Sequence, residues 1–316
     1  MTTSEAKAAL RRSWSLEPVR RLRLLGAGDS YWAFMLNDTW VCRVARNTAA
    51  SQSLRREMAL LPWLSAQLPL PIPVPHVTGV DAQGQLLFAA YPFLPGPSLT
   101  PARYHRLDAA GRGRCAAQLG QFLARLHVVD PAVGPDGDIP TFGLDALAAF
   151  LWTRAQNSLY PTASGPEKRF LSRVLDQENG TISCGSSDFS VPVVQPVVWL
   201  HGDLSHDHVL FDPMVGAVSA ILDFGDLRRG DPAWDLVFLY RDYGPGFIAD
   251  LLPSYDPTNC DVLLCRVYYG FQLAVLDAAC DAADVGDTAR AEAIMRRLCR
   301  QEVAQRRALW RSCGLG

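Results

Sequence analysis

The sequence has little net charge of either sign, since 30 lysines and arginines stand against 32 aspartates and glutamates in 316 residues. That balance gives no general attraction to nucleic acid or to an anionic membrane. The chain also has no apolar run near the roughly 20 residues that a membrane span needs, and its N-terminal segment lacks the apolar core of a secretory signal. We therefore expect a cytoplasmic protein without nucleic-acid or membrane partners.

Paired cysteine motifs are missing as well. The chain has eight cysteines, but none of them form the CxxC spacing of many zinc and redox sites. A disulfide scaffold would be a shorter and more cysteine-rich chain. We predict buried free thiols, because an unpaired cysteine packs as a small hydrophobic residue. The eight residues are Cys42, Cys115, Cys184, Cys260, Cys265, Cys280, Cys299 and Cys313.

The hydrophobic pattern changes along the chain from strand-like to helical. The length suits two packed lobes, since domains cluster near roughly 100–200 residues, and the segment PFLPGP at 92–97 interrupts regular structure between them. We predict an N-terminal lobe over residues 1–91, a hinge over 92–98 and a larger C-terminal lobe over 99–316 with one small β-hairpin. The spacing of apolar residues predicts strands at 19–25, 31–36, 40–45, 86–91 and 193–200, and helices at 5–12, 53–67, 115–127, 144–158, 167–176, 261–282 and 287–313.

The richest stretch for chemistry is HGDLSHDH at residues 201–208, which is followed by a turn, a strand-like segment and Asp223. A hairpin whose turn centres near 214–215 sets His208 opposite Leu222 and brings its ring near Asp223, because cross-strand neighbours lie about 5 Å apart. Asp203, in an irregular segment, can face the same space. The sequence thus predicts two carboxylates and one imidazole at the mouth of a hairpin. This set suits Mg²⁺ when phosphates and water complete its coordination.

A glycine-rich turn, GAGDS at residues 26–30, lies between two predicted strands. Its glycines allow backbone N–H groups to approach a phosphate. Arg43 on the following strand is a cation in an apolar setting, and Glu57 on the next helix can face it. This pair is typical of a phosphate-binding cation that a carboxylate holds in place. The alternative is a solvated arginine and an ordinary surface glutamate.

The order of these motifs, followed by DFGD at 223–226 and GDPAWDL at 230–236, resembles the aminoglycoside phosphotransferase family, relatives of the protein kinases. The GAGDS turn, the VCRVAR strand and His208 in place of the usual asparagine resemble the 2″-aminoglycoside phosphotransferase branch, and macrolide phosphotransferases share that histidine. The resemblance covers at least residues 24–243. It implies an α+β, bilobal protein-kinase-like fold: an antiparallel sheet with one helix in the N-lobe, and a larger, mainly helical C-lobe with a catalytic β-hairpin.

The resemblance also implies a role for each matching position. Asp203 is the expected catalytic carboxylate, and Ser205 is expected near the transferring phosphate. His208 and Asp223 are expected to hold Mg²⁺, with ATP or GTP as the phosphoryl donor. The expected nucleotide-binding residues are Gly26, Gly28, Asp29 and Ser30 of the phosphate loop, Arg43 with its partner Glu57, and Ala90, Tyr91 and Phe93 at the hinge.

The implied reaction is transfer of the γ-phosphoryl group to a hydroxyl of an aminoglycoside-type antibiotic by a monomeric enzyme. A macrolide or another hydroxylated metabolite is the alternative small-molecule acceptor. Carboxylates suit a polycationic acceptor, whereas aromatic side chains suit a more apolar one. The candidate acceptor-binding residues are Asp226, Asp242, Tyr268 and Tyr269.

Two functions of other classes are open at this stage. A zinc hydrolase could use His201, Asp203, His206 and His208, because imidazole favours Zn²⁺, although the glycine turn would then have no role. A nucleotide-binding pseudoenzyme is the second, since Arg43 replaces the lysine that most of the family carries, and a guanidinium is not a point charge. Nucleotide binding without acceptor-stimulated turnover would favour the pseudoenzyme.

Overall fold

The computed structural model of the protein describes seven segments of the chain and shows an α+β fold. A five-stranded antiparallel sheet forms the N-terminal part, and the larger C-terminal part is mainly helical, as the sequence predicts. The described residues are 2–80, 84–130, 139–175, 181–183, 190–192, 197–255 and 260–314.

The N-terminal sheet has the strand order β1-β2-β3-β5-β4. Its central strand β3 places Arg43 opposite Ala33 on one side and Ala89 on the other, so the arginine lies over the middle of the sheet. The elements of this part are α1 (Thr3–Ser13), β1 (Leu22–Ala27), β2 (Tyr31–Leu36), β3 (Trp40–Ala45), α2 (Thr48–Ser65), β4 (Val77–Val80) and β5 (Leu86–Pro92).

The C-terminal part contains more sheet than the single hairpin that we predicted. Its described strands form the pair β10-β11, the pair β7-β8 and a three-stranded sheet of order β6-β12-β9. The elements are α3 (Pro101–Arg106), α4 (Ala109–Val128), β6 (Thr141–Phe142), α5 (Leu144–Ser158), α6 (Gly165–Leu175), β7 (Thr181–Ser183), β8 (Ser190–Pro192), β9 (Val198–Leu200), β10 (Val209–Asp212), β11 (Ala217–Ile221), β12 (Arg228–Gly230), α7 (Ala233–Tyr243), α8 (Pro245–Tyr255), α9 (Cys260–Asp284) and α10 (Thr288–Ser312).

The segment between β5 and α3 is tied to the hairpin β10-β11. The Leu99 N–H donates to the Val209 carbonyl at 2.7 Å, and the Phe211 N–H donates to the Pro97 carbonyl at 3.0 Å. Gly96 has φ +125°, and a Cβ at this position would lie 2.7 Å from the Phe211 carbonyl oxygen. Only glycine fits so close a crossing. These bonds fix the end of the sheet against the hairpin, while the lobe boundaries at 91 and 98 remain a prediction.

Helix α9 is long and apolar enough to cross a membrane by length and composition, and 67% of its most apolar window is buried inside the protein. It packs against α5, α7 and α10, which is the environment of a core helix. Six of the cysteines are thiols outside any disulfide, and three of these are buried. Cys265 on α9 contradicts the free-thiol prediction because it is disulfide-bonded, and Cys184 lies outside the described residues.

Candidate active site

The loop at 201–208 joins β9 to β10, and a buried carboxylate holds its backbone. Asp235, at the start of α7, accepts hydrogen bonds from the N–H groups of His201 at 2.9 Å and Gly202 at 2.8 Å. Gly202 has φ +88°, and a Cβ there would lie 2.2 Å from the Asp226 carbonyl oxygen. The loop therefore needs glycine at 202 and an acceptor at 235.

His201 is a structural residue of this loop. The Asp203 N–H donates to His201 Nδ1 at 3.3 Å, so Nε2 carries the proton and donates to the Leu222 carbonyl at 2.8 Å. Burial lowers the pKa of His201 below its ordinary value. A neutral imidazole whose two nitrogens are both hydrogen-bonded to backbone groups holds the shape of the loop.

Replacing Asp235 by asparagine should lower the free energy of unfolding at neutral pH by roughly 2–5 kcal/mol, since a buried N–H donor loses its acceptor. Burial alone would raise the pKa of Asp235, but His127 and the loop N–H groups hold it below its ordinary value. The carboxylate therefore stabilises the fold above about pH 4 and loses this effect as the pH falls further. Denaturant unfolding of the parent protein and of Asp235→Asn should show a difference in the free energy of unfolding that becomes smaller in acid. A difference that is the same at every pH would contradict this account.

The hairpin brings the predicted chemistry together. The Leu222 N–H donates to the His208 carbonyl at 2.8 Å, which confirms the predicted cross-strand pair. His208 Nε2 lies 3.8 Å from Asp223 Oδ2, and His208 Nδ1 lies 3.7 Å from Asp203 Oδ2. The two carboxylates therefore flank one imidazole.

The hydrogen bonds of His208 select the tautomer that binds a metal. Its Nδ1 lies 2.7 Å from the Asp203 carbonyl oxygen, which can only accept, so Nδ1 carries the proton. The Nε2 lone pair is then directed to the side of Asp223. A ring nitrogen fixed by a backbone carbonyl in this way is the usual arrangement for a metal-binding histidine.

Asp223 occupies a left-handed backbone conformation with φ 58°. Its Oδ1 accepts from the Gly225 N–H and from Arg43 Nη2, each at 3.2 Å. Partial burial would raise the pKa of Asp223, but the Arg43 guanidinium, followed by the His208 imidazole, holds it below its ordinary value. Asp223 is thus an anion near the imidazole.

Arg43 links this loop to α2. Its Nη1 donates to Glu57 Oε2 at 2.6 Å, and both residues are buried, so the predicted pairing is present. The guanidinium also stacks on the Tyr31 ring at 4.1 Å. Burial raises the pKa of Glu57 to about 6, although Arg43 opposes that shift. The two terminal nitrogens of the Arg43 guanidinium therefore connect Glu57 on α2 with Asp223.

Replacing Glu57 by alanine should lower the free energy of unfolding by about 3 kcal/mol, the lower end for breaking a buried ion pair, because Arg43 keeps its contact with Asp223. Glu57→Gln, which retains a hydrogen-bond acceptor of the same size, should lose less. Urea unfolding measures both variants. Equal stability of the alanine variant and the parent protein would show that the pair does not hold α2.

The glycine turn is partly strand. Gly26 lies within β1, where a Cβ would meet no atom within 4 Å, so its surroundings leave open space above the backbone. The Gly28 N–H donates to the Tyr31 carbonyl at 3.0 Å, and the Ser30 carbonyl accepts from the Arg46 N–H at 2.9 Å. The Arg46 guanidinium also donates to the Gly28 carbonyl. Arg46, which the sequence analysis did not single out, therefore braces the turn that carries Asp29.

The predicted hinge residues contribute backbone groups to the sheet. The Ala90 carbonyl accepts from the His76 N–H, and the Phe93 N–H donates to the Thr39 carbonyl, both at 2.8 Å. Tyr91 is buried opposite Val41. The contacts of this segment with a nucleotide base remain a prediction.

Metal chemistry fits the donors at 208 and 223. His208 Nε2 and Asp223 Oδ2 lie 3.8 Å apart, so a small side-chain shift toward the roughly 3 Å between adjacent octahedral ligands would let both bind one Mg²⁺. Among the described residues, no group of three or more histidine, cysteine, aspartate or glutamate side chains could surround an ion. Phosphate and water oxygens would therefore complete the coordination of a magnesium ion.

Comparison with known proteins decides the family. A model of the phosphotransferase enzyme family matches residues 22–262. The chain belongs to this family. The GDP complex of wild-type aminoglycoside 2'-phosphotransferase-IIIa matches with a TM-score of 0.82 at 18% identity, over 96% of this chain and 100% of that one.

Two further solved structures show the same fold. The GDP and kanamycin complex of APH(2")-IIIa matches with a TM-score of 0.80 at 20% identity, over 95% and 98% of the two chains. Macrolide 2'-phosphotransferase MphH from Brachybacterium faecium matches with a TM-score of 0.64 at 20% identity, over 92% and 95%. The kinase-like fold that the sequence implied is therefore confirmed, and the protein is a phosphotransferase.

In this phosphotransferase, the four residues predicted to bind the acceptor have other contacts. Tyr268 and Tyr269 are buried, and their hydroxyls donate to the carbonyls of Glu302 and Val174. This placement assigns them to core packing. The helical pattern of α9 could not distinguish its buried face from its exposed face, because apolar residues occur on both.

The two predicted acceptor-binding aspartates also have partners within the chain. Asp242 Oδ2 accepts from the backbone N–H of His206 at 2.8 Å and lies 2.9 Å from the ring Nδ1, so Asp242 anchors the loop. Asp226 is exposed and accepts from Arg228 Nη2 at 2.6 Å.

Ser205 is buried, and its N–H donates to the Asp203 carbonyl at 2.9 Å.

The geometry removes the zinc hydrolase alternative. The rings of His201, His206 and His208 are directed to Leu222, Asp242 and Asp223 respectively. Three imidazoles with three separate partners do not share one ion.

Proposed function

We propose that the protein transfers the γ-phosphoryl group of ATP or GTP, as its magnesium complex, to a hydroxyl of a small molecule. The resemblance favours an aminoglycoside-type antibiotic, with a macrolide or another hydroxylated metabolite as the alternative. The observation that carries the proposal is the meeting of Arg43, Asp203, His208 and Asp223 in one site, reached from the glycine turn through β2 and β3.

Each residue has a task in such a transfer. Asp203 orients the acceptor hydroxyl and takes its proton, and Arg43 steadies the phosphates while Glu57 holds it in place. His208 and Asp223 would hold Mg²⁺, which neutralises phosphate charge when bound. Phosphoryl transfer needs mainly positioning and charge neutralisation, and the site supplies both.

The pseudoenzyme alternative rests on Arg43. Its guanidinium contacts Glu57 and Asp223 at the same time, which one ammonium group does less well. The residues needed for metal and proton transfer are also present. These contacts favour an active enzyme.

A turnover assay tests the proposal. ATP and GTP are each supplied with Mg²⁺ and a panel of aminoglycosides, macrolides and simple amino alcohols, and acceptor-dependent release of ADP or GDP is measured. We expect at least one hydroxylated acceptor to stimulate turnover. Protection of the protein from unfolding by nucleotide, with no stimulation by any acceptor, would favour the pseudoenzyme.

Transfer should weaken in acid, because a protonated imidazole at 208 has no lone pair for a cation. Replacement of His208 by asparagine keeps a neutral ligand and should make the acid limb of the kcat/KM profile shallower. Steady-state rates between pH 5 and pH 8 check this. An acid limb that is unchanged in His208→Asn would contradict the metal-binding role.

A further inference from the structure

A row of aromatic and cationic side chains runs along α7 beside the catalytic loop. Trp234 donates its Nε1–H to the Gly202 carbonyl at 3.1 Å, one residue before Asp203. Its ring lies 5.4 Å from that of Phe238, and the Arg241 guanidinium lies 5.1 Å from the Phe238 ring. The row thus begins next to Asp203 and ends at Arg241, whose Nε donates to Asp242 Oδ1 at 2.9 Å.

The row leads to a cavity of about 520 Å³ between α7, α9 and α10. Cavities of this size hold drug-sized ligands. Arg241 lines its mouth and follows Trp234 by seven positions, which is roughly 10 Å along a helix. The end of α7 that contacts the catalytic loop and the end that lines the cavity are thus about 10 Å apart.

The cavity is apolar and carries positive charge. Its floor includes Phe271, Val275 and Leu298, its charged lining residues are Arg241 and Arg297, and none of the described lining residues is acidic. Of the seven arginines of helix α10, Arg297 is the one that lines the cavity. Such a lining repels a polycation and attracts an anion.

A buried acceptor points to a ligand with a donor. Gln301 Oε1 accepts from Arg297 Nε and from Gln305 Nε2, each at 3.2 Å. These bonds fix the orientation of the Gln305 amide and leave its Oε1 buried without a hydrogen-bond partner. A buried amide oxygen without a donor is costly, so a hydroxyl or amide N–H of a ligand would satisfy it.

Carboxylates that could bind a polycation are paired with arginines of the same chain. Asp226 binds Arg228, and Asp231 binds the buried Arg266. Arg154 contacts the three acidic residues at the end of α9, which are Asp277, Asp281 and Asp284. Asp207 is 69% exposed beside His206, and Asp203, whose side chain is 38% exposed, lies in the same loop.

We infer that the acceptor is a neutral or anionic molecule with an apolar body and hydrogen-bonding groups, and that it is not a polycation. This inference rests on the proposed function and narrows its acceptor. The molecule lies along α7 with its reacting hydroxyl at Asp203 and its apolar body in the cavity, where Gln305 accepts a hydrogen bond from it.

A matched pair of probes separates charge from shape. Kanamycin is compared with its fully N-acetylated form, which keeps the hydroxyls and removes the positive charges. Calorimetry measures binding of each to the protein saturated with magnesium and a non-hydrolysable ATP or GTP analogue. The Kd of the N-acetylated form should be at least about tenfold lower than that of kanamycin.

Two variants test where the discrimination arises. Arg297→Glu reverses the charge at the cavity and should reduce or invert the preference for the N-acetylated form. Arg296→Glu is the control, because it reverses the same charge on the same helix at a residue that pairs with Glu292 and does not line the cavity. It should leave the preference unchanged.

Tighter binding of free kanamycin, binding of neither probe, or equal effects of the two variants would each overturn the inference. Turnover of the bound probe is measured separately. Phosphorylation of free kanamycin by the parent protein would overturn this inference and support the proposed function. Binding of the N-acetylated form without any nucleotide turnover would support the charge preference of the cavity but count against the proposed transfer reaction.

Discussion

Replacing Asp203 by asparagine is expected to lower kcat by about 10²–10⁴-fold, the range for loss of a general base, while the affinity for magnesium–nucleotide is retained. Asparagine fills the same space but cannot take the hydroxyl proton. The backbone carbonyl of residue 203, which fixes His208, is kept. Acceptor-dependent kcat and nucleotide Kd, measured on the same preparation, check the two halves of this expectation.

Asp207→Asn is the matched control for this variant. Asp207 belongs to the same loop, is 69% exposed and has His206 as its ion-pair neighbour. Its replacement should leave kcat close to that of the parent protein. Near-normal turnover in Asp203→Asn, or an equal loss in both variants, would contradict the assigned role of Asp203.

Replacing Asp223 by asparagine should weaken magnesium–nucleotide binding by roughly 10- to 100-fold. The change removes the negative charge that faces both His208 and Arg43. A hydrogen bond to a charged group contributes roughly 1.5–3 kcal/mol, and each 1.4 kcal/mol is a factor of ten. Calorimetric titration of nucleotide at several magnesium concentrations measures the effect.

Asp226→Asn provides the comparison, because Asp226 lies three residues further along and pairs with Arg228. Its magnesium dependence should match that of the parent protein. If Asp223→Asn showed an unchanged magnesium dependence, the cation would have to be held elsewhere.

The elements that the sequence predicts best have strong local signals. Strands β2 and β3 have the predicted bounds, since Asn37 and Asp38 between them adopt positive φ angles of 52° and 59°, a conformation that favours asparagine and aspartate. Strand β4 was missed because it has only four residues and follows a proline-rich segment. Helix α2 begins five residues before the predicted start, where Asn47 accepts a hydrogen bond from the Ala50 N–H.

The site was predictable where residues near in sequence meet and less so elsewhere. The pairing of His208 with Leu222 follows from the length of one turn. The anchoring of the loop by Asp235 and Asp242 depends on how α7 lies against residues 201–206, which no spacing reveals. The cavity beside α10 depends on three helices distant in sequence, so only the structure could reveal its charge.

The most direct test of the account is a crystal structure with Mn²⁺, whose anomalous scattering locates the ion, and a non-hydrolysable triphosphate analogue. The account predicts one Mn²⁺ bonded to His208 Nε2 and the Asp223 carboxylate, with the terminal phosphate facing Asp203 and the triphosphate reaching the turn at 26–30. An ion bound away from His208 and Asp223, or a triphosphate outside the space between that turn and the hairpin, would contradict it.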